Sequence, residues 1–149
     1  EMCIRDRSSA PQIRYPDYYG IDMARLEEFC VFRAAIQLLK ERNMESLIDQ
    51  TYEACKAELQ KPKEEQINPV RAIYKPFSIE EINEKIVEML RPEGMTTPIQ
   101  LVFQSIEGLR KAIPNHKGDW YFTGHYPTPG GTKLCNQSFV NYIENVYHK

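Results

Sequence analysis

The chain has 149 residues, a formal net charge of -2 and a sequence pI of about 6.0. The length fits one domain, and the charge lacks the basic footprint of a nucleic-acid-binding protein. No apolar run approaches the ~20 residues that span a membrane, and no apolar signal-peptide stretch follows the first residues. We therefore expect a cytoplasmic protein with neither nucleic acid nor a membrane as partner.

The start of the chain differs from the rest. Residues 1–7 show no periodic pattern and resemble a translated sequencing adapter, so we set them aside as non-native. We expect the native chain to start near Ser8. Residues 8–10 are typical of the end of a strand, which Pro11 terminates, and residues 13–22 are expected to form a loop.

Two amphipathic helices are predicted next, over residues 26–42 and 44–59, with Asn43 between them as a cap for the second. The first has one apolar stripe, at Leu26, Phe29, Phe32, Ile36 and Leu39. The second has a similar stripe, at Leu47, Ile48, Tyr52, Cys55 and Leu59. The residues after it, 61–65, form a charged connector.

Proline and serine define the elements of the middle region. Asn68-Pro69 predicts a short helix that Pro76 ends. The sequence from Ser78 to Glu81 matches a capping box and starts another helix, which ends before Pro92. The apolar residues expected to face inward on this helix are Ile79, Ile82, Ile86, Met89 and Leu90.

The C-terminal third mixes strand and helix signals. Residues 97–100 match a capping box, which favours a helix, but the β-branched and aromatic residues that follow favour a strand over 99–104. We predict that strand, with Ser105 capping a helix over 106–113. We also predict a short strand over 120–123 and an exposed turn over 127–131. A last helix is predicted over 136–147, burying Phe139, Tyr142, Ile143, Val146 and Tyr147.

The predicted fold class is therefore mainly α with a few short strands, and no local motif for chemistry stands out. Residues 130–133 read Gly-Gly-Thr-Lys but lack the spacing of a phosphate-binding P-loop, which favours a turn. Five residues have side chains that can ligate a metal, but their spacing fits no compact site, so no metal is expected: His116, Asp119, His125, Cys135 and His148. The four cysteines form no C-x-x-C pair and are expected to be reduced thiols, with Cys30 and Cys55 on apolar helix faces.

Three segments carry a family resemblance. Residues 9–23 contain Ala-Pro, Ile-Arg and Tyr-Gly-Ile-Asp-Met, residues 101–109 read as a strand and a capped helix, and residues 122–128 read Phe-Thr-Gly-His-Tyr-Pro-Thr. In this order they resemble segments of the amidophosphoribosyltransferases, the glutamine-dependent enzymes of the first step of purine synthesis.

The resemblance implies the C-terminal fragment of an extended bacterial form of this enzyme. Residues 8–42 would end an α/β phosphoribosyltransferase domain, of which they are a remnant, and residues 43–149 would form a mostly helical C-terminal region. The parent enzyme would release ammonia from glutamine and combine it with phosphoribosyl diphosphate to give 5-phosphoribosylamine. The partners of this fragment would be the missing N-terminal glutaminase and transferase core, and the parent would be a homo-oligomer.

The same resemblance implies that both reactions depend on residues before Ser8, so the fragment alone is expected to be inactive, with no catalytic residue assigned. Mg²⁺ would bind outside the fragment, and Cys3 would not be the glutaminase nucleophile. Some members ligate an iron–sulfur cluster, but the matching positions here are Asp17, Gly118 and Tyr121, which cannot replace thiolates, so no cluster is expected. The segment of residues 44–95 is longer than the corresponding segment in the common form of this enzyme, and it resembles only the extended bacterial members.

Arg14 and Asp22 are the candidate substrate-binding residues. They flank a loop at the end of an expected parallel strand, where α/β sheets bind ligands. The alternative is that both residues brace the loop through hydrogen bonds and charge pairing.

A free-standing helical interaction module is the alternative to the enzyme fragment. Such a module should close its own core, whereas an excised fragment should leave apolar faces and a strand edge uncovered. We predict uncovered surface around residues 8–13 and on one side of residues 26–39.

Overall fold

The computed structural model describes residues 2–18, 22–115 and 117–148. Helix accounts for 58% of the chain and strand for 7%, which confirms the mainly α class with few strands. The longer elements are β1 (Ile4–Ser8), α1 (Cys30–Glu41), α2 (Glu45–Leu59), α3 (Ile79–Leu90), β2 (Ile99–Phe103), α4 (Ile106–Ala112), α5 (Trp120–Thr123) and α6 (Pro129–Tyr142). Four short 3-10 helices lie at Asp22–Ala24, Leu26–Glu28, Lys63–Glu65 and Pro69–Tyr74, and a π-helical segment lies at Ile143–Tyr147.

Helix α1 lies at the centre of the core. It packs against α2, α3 and the 3-10 helix Pro69–Tyr74, and seven of its twelve residues are buried. A helix that is apolar on most of its circumference must be covered on several sides. Phe32 is fully buried and meets the rings of Phe139 and Tyr142 edge-on, with centroids 6.0 and 4.9 Å away.

The buried α1 contradicts one expectation. We predicted an uncovered face along residues 26–39, but Leu26, Phe32 and Leu39 are all fully buried. Helices α2 and α6, which pack on each other, and α3 supply the cover. The helical part of the chain therefore closes its own core.

The sheet is small and largely open. β1 and β2 pair in parallel, with Ile4 beside Ile99 and Ser8 beside Phe103. Helix α3 packs on β2, so the side chains of β2 alternate between half-buried and exposed. In β1 the first four residues are exposed, so β1 is held by backbone pairing more than by side-chain burial.

Part of β1 lies in the segment that was set aside as non-native. Residues 4–7 pair through their backbone, and nearly any sequence can form that pairing. The structure thus places these residues in the fold, while their origin stays a prediction.

Two predicted caps are present in full. Ser78 accepts a hydrogen bond from the Glu81 amide, and the Glu81 carboxylate accepts one from the Ser78 amide. Ser105 likewise accepts from the Gly108 amide at the start of α4. The predictions of α3, β2 and α4 are confirmed within two residues at each end.

The strand predicted over residues 120–123 is wrong. This segment is the single helical turn α5, in which the Phe122 and Thr123 amides donate to the Asp119 carbonyl. Gly124 ends the turn at φ 74°, a left-handed conformation typical of a helix C-terminus. The β-propensity of Trp-Tyr-Phe-Thr is weak compared with these local hydrogen bonds.

The turn predicted at residues 127–131 is wrong in its second half, because α6 begins at Pro129 and not at 136. Proline fits the first helical position, because an N–H at that position would have no acceptor within the helix. The helix therefore includes Gly130 and Gly131. The earlier start of the first helix is also wrong, since residues 26–28 form a separate 3-10 turn before α1.

Several residues predicted to lie inside are exposed. Ile79, Met89 and Leu90 of α3 and Val146 after α6 are among the exposed large hydrophobic side chains. Cys30 is exposed, whereas Cys55 is buried as predicted. The buried residues of α3 are therefore its central ones, Ile82, Lys85 and Ile86, and the Lys85 ammonium also pairs with Glu41 of α1.

Candidate functional site

Arg14 lies in residues 9–18, which follow β1 and are called the β1 loop here. Its guanidinium donates two hydrogen bonds to the side-chain oxygen of Gln12, at 3.1 and 2.6 Å. Gln12 is 4% exposed and its amide nitrogen donates to Asn83 and to the Ile79 carbonyl. The Arg14 side chain is therefore oriented by a buried amide that α3 holds in place.

Tyr74 supports Arg14 from the other side. The Arg14 guanidinium lies over the Tyr74 ring, 5.1 Å from its centroid, and the Tyr74 hydroxyl donates to the Arg14 carbonyl at 2.7 Å. Burial raises the pKa of Tyr74 well above its usual value, so this phenol stays neutral and keeps its donor. The interpretation of Arg14 as a brace for its loop fits these contacts.

The β1 loop is joined to the segment around α5. The backbone amides of Arg14 and Tyr15 both donate to the Tyr121 carbonyl, at 2.9 and 3.1 Å. The Trp120 indole donates to the Asp17 carboxylate at 2.5 Å. Two backbone hydrogen bonds and one side-chain hydrogen bond therefore hold the β1 loop against the segment around α5.

Tyr126 and Gly124 complete this junction. The Tyr126 hydroxyl donates to the Pro16 carbonyl. A Cβ on Gly124 would lie 2.9 Å from a Tyr15 ring carbon and 2.9 Å from the Asn68 amide nitrogen, so the chain approaches Tyr15 closely here. Burial raises the pKa of Tyr15 to about 12, which keeps its hydroxyl protonated at neutral pH.

A cavity of about 450 Å³ opens between these elements. Its base contains the buried rings of Tyr74 and Phe77 and the half-buried Ile106 and Phe122. Four basic side chains line it: Arg14, Arg71, Lys75 and Arg110. We call it the cationic cavity, and it is the candidate functional site.

A larger cavity, of about 550 Å³, lies between α3 and β2. It is lined by the carboxylates of Glu80, Glu84 and Glu88 together with Arg91. Among the residues that the structure describes, no group of three or more His, Cys, Asp or Glu side chains is arranged to hold a metal ion.

No activated thiol is found at either cavity. Cys55 and Cys135 are buried, and burial raises the pKa of both thiols, that of Cys55 to about 12. Cys30 is exposed as a residue, but partial desolvation of its thiol also raises its pKa. These three thiols are protonated at neutral pH and so are poor nucleophiles.

No protein-family model, curated protein or solved structure matches the chain.

The structure places some of the site residues predicted from the sequence at the cationic cavity and others elsewhere. Arg14 reaches the cationic cavity. Asp22 begins the 3-10 helix Asp22–Ala24, but its side chain lies outside what is described, as does His116. Of the three positions compared with cluster ligands, Asp17 bonds to Trp120 and Tyr121 bonds through its carbonyl to the β1 loop.

Sequence reasoning missed the other cations of the cavity. Arg71 and Lys75 come from the 3-10 helix Pro69–Tyr74 and its end, and Arg110 comes from α4. The one local signal in the sequence was the spacing of four between Arg71 and Lys75, which predicts that they lie on the same face of a helix. Only the tertiary fold brings Arg110 to them.

Within the described ranges, no helix is long and apolar enough to cross a membrane.

Proposed function

We propose that this chain is the C-terminal part of an amidophosphoribosyltransferase, the enzyme that forms 5-phosphoribosylamine from phosphoribosyl diphosphate and glutamine. The observation that carries the proposal is the meeting of the three segments that resemble this family. Residues 9–23 and 122–128 are joined by the contacts of Pro16 with Tyr126 and of Tyr15 with Gly124. Residues 9–23 also meet 101–109, since the Gln104 amide donates to the Ala10 carbonyl at 3.3 Å.

This adjacency matters because it is independent of sequence likeness. The first match, residues 9–23, is far in sequence from the other two, and matches that arise by chance are not expected to contact one another. Residues that keep a family pattern for a structural reason do tend to contact one another. The spatial cluster therefore supports reading the three matches as one inherited unit.

The open sheet supports the same proposal. All-parallel sheets occur almost only in α/β proteins with both faces covered. Here β2, which lies wholly in the part of the chain taken as native, pairs in parallel and leaves Val102 38% exposed. Such a strand is what the margin of a larger α/β sheet would present, with the transferase core as the missing neighbour. Residues 4–7 of β1 belong to the segment assigned as non-native, so they carry none of this support.

In this proposal the chemistry belongs to the rest of the enzyme. The chain has no activated thiol for glutamine hydrolysis among the cysteines with shifted pKa values. Mg²⁺ and phosphoribosyl diphosphate would bind in the transferase core, and no iron–sulfur cluster is proposed because Asp17 and Tyr121 offer no thiolate. The parent would be a cytoplasmic homo-oligomer, and the chain would serve as the edge and helical cover of its transferase domain.

A helical interaction module is the second candidate. It is favoured by the closed core around α1, where Leu26, Phe32 and Leu39 are fully buried. A fragment held only by its neighbours would not need to bury this helix by itself. The two candidates differ in what they predict about the rest of the gene.

The deciding experiment is to sequence the genomic DNA upstream of the Ser8 codon. The proposal predicts an open reading frame that continues upstream and encodes an acidic pair followed by a loop of small residues and threonine, the group that holds Mg²⁺ and the ribose phosphates. An initiation codon just before Ser8 would instead support the interaction module.

Assays of the purified chain give a second test. We expect neither ammonia release from glutamine nor consumption of phosphoribosyl diphosphate, measured against a complete amidophosphoribosyltransferase as positive control. Turnover of either substrate by the chain alone would contradict the assignment of the chemistry to other residues.

A further inference from the structure

We infer that the edge of β2 that faces away from β1 binds an extended basic peptide segment of a partner protein, which adds to the sheet as a third strand. The binding surface is the cavity of about 550 Å³ between α3 and β2, which we call the acidic groove. The inference does not rest on the proposed function, which gives this groove no role.

The pairing with β1 leaves one edge of β2 unpaired. The Ile4 amide donates to the Pro98 carbonyl at 2.9 Å, and Ile4 lies beside Ile99. In a parallel pair, successive residues of a strand point their backbone groups alternately towards the neighbour and away from it. The N–H and C=O groups of Gln100 therefore face β1, whereas those of Ile99 and Leu101 face the opposite edge. Among the described residues, no hydrogen bond is found at these groups of Ile99 and Leu101.

The position of the free edge does not depend on the segment set aside as non-native. Ser8 lies beside Phe103, and the Gln104 amide donates to the Ala10 carbonyl at 3.3 Å. Residues 8–10 thus occupy the same side of β2 as residues 4–7 do. The opposite edge stays free whether or not residues 1–7 belong to the natural chain.

The acidic groove runs along this free edge. Three consecutive residues of β2 line it, Ile99, Gln100 and Leu101, and α3 lines the other side. Side chains of successive strand residues point to opposite faces of a sheet, so contact with all three indicates that the groove reaches the backbone edge. Of the described residues, none from β1 lines it. An unpaired edge beside a helix is a surface to which a peptide can add as a strand, with its side chains against the helix.

The side chains of α3 determine which peptide fits. Glu80 and Glu84 are exposed, lie one helical turn apart, and form no ion pair within the described ranges. Glu88 does pair, with Lys85 at 2.6 Å. The basic Arg91 lies at the other end of the lining, about 16 Å along the helix from Glu80. The two unpaired carboxylates therefore make one end of the groove complementary to cationic side chains.

The spacing of these carboxylates matches an extended peptide. Glu80 and Glu84 are about 6 Å apart along the helix axis, and residues i and i+2 of a strand lie about 6.6 Å apart on one face. Lysine or arginine at i and i+2 would therefore face both carboxylates. The half-buried Val87, Ile99 and Leu101 offer an apolar surface to residue i+4 of the same peptide.

A second copy of this chain fits the free edge less well. Pairing of two β2 edges would bring the carboxylates of both α3 helices, Glu80 and Glu84 in each copy, to a single interface. Like charges placed together across an interface oppose association. The charge of the groove thus selects a basic partner and disfavours self-association.

The probe that tests the inference is the peptide acetyl-Lys-Thr-Lys-Thr-Val-Thr-amide, titrated calorimetrically into the complete chain at low ionic strength. One control peptide has glutamate in place of both lysines, and the other keeps the lysines but is N-methylated at every backbone amide. We expect saturable 1:1 binding of the basic peptide with a Kd below about 1 mM, at least about tenfold weaker binding of the methylated peptide, and none of the glutamate peptide. No saturable binding of the basic peptide, or equal binding of the methylated one, would overturn the inference.

Hydrogen exchange shows which edge of β2 the peptide occupies. At saturation, the Ile99 and Leu101 amides should exchange at least about tenfold more slowly, while those of Gln100 and Val102, which already face β1, should change less. Peptide binding without slower exchange at Ile99 and Leu101 would contradict strand addition. Slow exchange of the same two amides in the peptide-free chain, together with a dimer in sedimentation, would assign the edge to a second copy and also overturn the inference.

Substitutions test the role of charge. The double variant Glu80→Gln, Glu84→Gln removes two exposed carboxylates of the groove, and we expect at least about a fivefold loss of affinity for the basic peptide. The matched control is the double variant Glu53→Gln, Glu64→Gln, because these side chains are 67% and 62% exposed on other elements. The control should bind as the wild type does. Equal losses in both double variants, or no loss in the groove variant, would contradict the inference.

Discussion

Gly130 and Gly131 are neighbours in the first turn of α6 but have different surroundings. A Cβ on Gly131 would lie 2.8 Å from Cγ and 3.0 Å from Cε1 of the Tyr126 ring, and closer still to Cδ1. A Cβ on Gly130 would have Tyr18 Cε2 at 4.0 Å as its nearest atom. The pair allows the same substitution, glycine to alanine, to be compared with and without a steric clash.

The clash at Gly131 is difficult to relieve. Carbon atoms ordinarily pack about 3.5–4.0 Å apart, so the Tyr126 ring would have to move. Its hydroxyl bonds to the Pro16 carbonyl, so this movement would disturb the junction with the β1 loop. Forcing one extra carbon into such a contact costs about 1–3 kcal/mol.

Helix propensity acts in the opposite direction at both positions. Replacing glycine by alanine in a helix stabilises it by roughly 0.5–1 kcal/mol. Gly130→Ala should therefore leave the stability unchanged or raise it by up to about 1 kcal/mol. Gly131→Ala gains the same propensity but suffers the clash, so its free energy of unfolding should lie about 1–3 kcal/mol below that of Gly130→Ala.

Urea unfolding followed by circular dichroism measures both variants. With a slope of about 2 kcal/mol/M, the midpoint of Gly131→Ala should lie roughly 0.5–1.5 M below that of Gly130→Ala. Tryptophan emission of Trp120, beside the junction, gives a second probe of the same transition. A Gly131→Ala variant as stable as Gly130→Ala would refute the packing of Tyr126 against α6.

Three further predictions test other parts of the structure. Gly124→Ala should cost more than Gly94→Ala in urea unfolding, because both need φ near 75° but only at Gly124 does the Cβ meet other atoms within 4 Å; equal costs would contradict the close approach. The Arg42 side chain and the Ser78 amide lower the pKa of Glu81 to about 2. The stabilisation of the fold by the ionised Glu81 is therefore complete above pH ~4.5 and is lost as the pH falls towards 2. The difference in urea midpoint between wild type and Glu81→Gln should shrink over that range, and a constant difference would argue against the charge effect. Asp17→Ala leaves the Trp120 indole N–H without its carboxylate partner and should lower the free energy of unfolding by about 1–3 kcal/mol, with a shifted tryptophan emission maximum; unchanged emission and stability would mean that the bond does not form.

Local signals explain which elements could be predicted from the sequence. The capping residues Ser78 and Ser105 marked the starts of α3 and α4, because a side-chain oxygen at that position satisfies an amide that the helix itself leaves free. For α6 the available signal was Pro129 at the first helical position, since Thr128 forms no cap hydrogen bond with its side chain, and the two glycines that follow obscured it. The single turn α5 was mistaken for a strand because the β-propensity of four residues is weak compared with the local hydrogen bonds of the turn.

The exposure of helix faces was harder to predict. Periodicity identified the buried stripe of α1, but it could not show that α2, α3 and α6 cover the helix from several sides. In α3, Ile79 and Leu90 continue the apolar pattern beyond the region that α1 covers, and both are exposed. Periodicity gives the direction of a side chain, whereas its burial depends on the length of the neighbouring element.

The candidate site was predictable only in part. Arg14 was identified from its place after a strand, and it does line the cationic cavity. Arg71, Lys75 and Arg110 were not identified, because Arg110 is 35 positions after Lys75 and no local pattern links them. Long-range convergence of charges is a property of the tertiary fold.

The most direct test of the central claim is a chimaeric enzyme. Residues 8–149 would replace the corresponding C-terminal part of an extended bacterial amidophosphoribosyltransferase, and glutamine-dependent formation of 5-phosphoribosylamine would be measured. The glutaminase activity of the same preparation reports whether the chimaera has folded. The proposal predicts phosphoribosylamine formation that supports growth of a purine auxotroph lacking its own enzyme, whereas a chimaera with intact glutaminase activity and no phosphoribosylamine formation would contradict it.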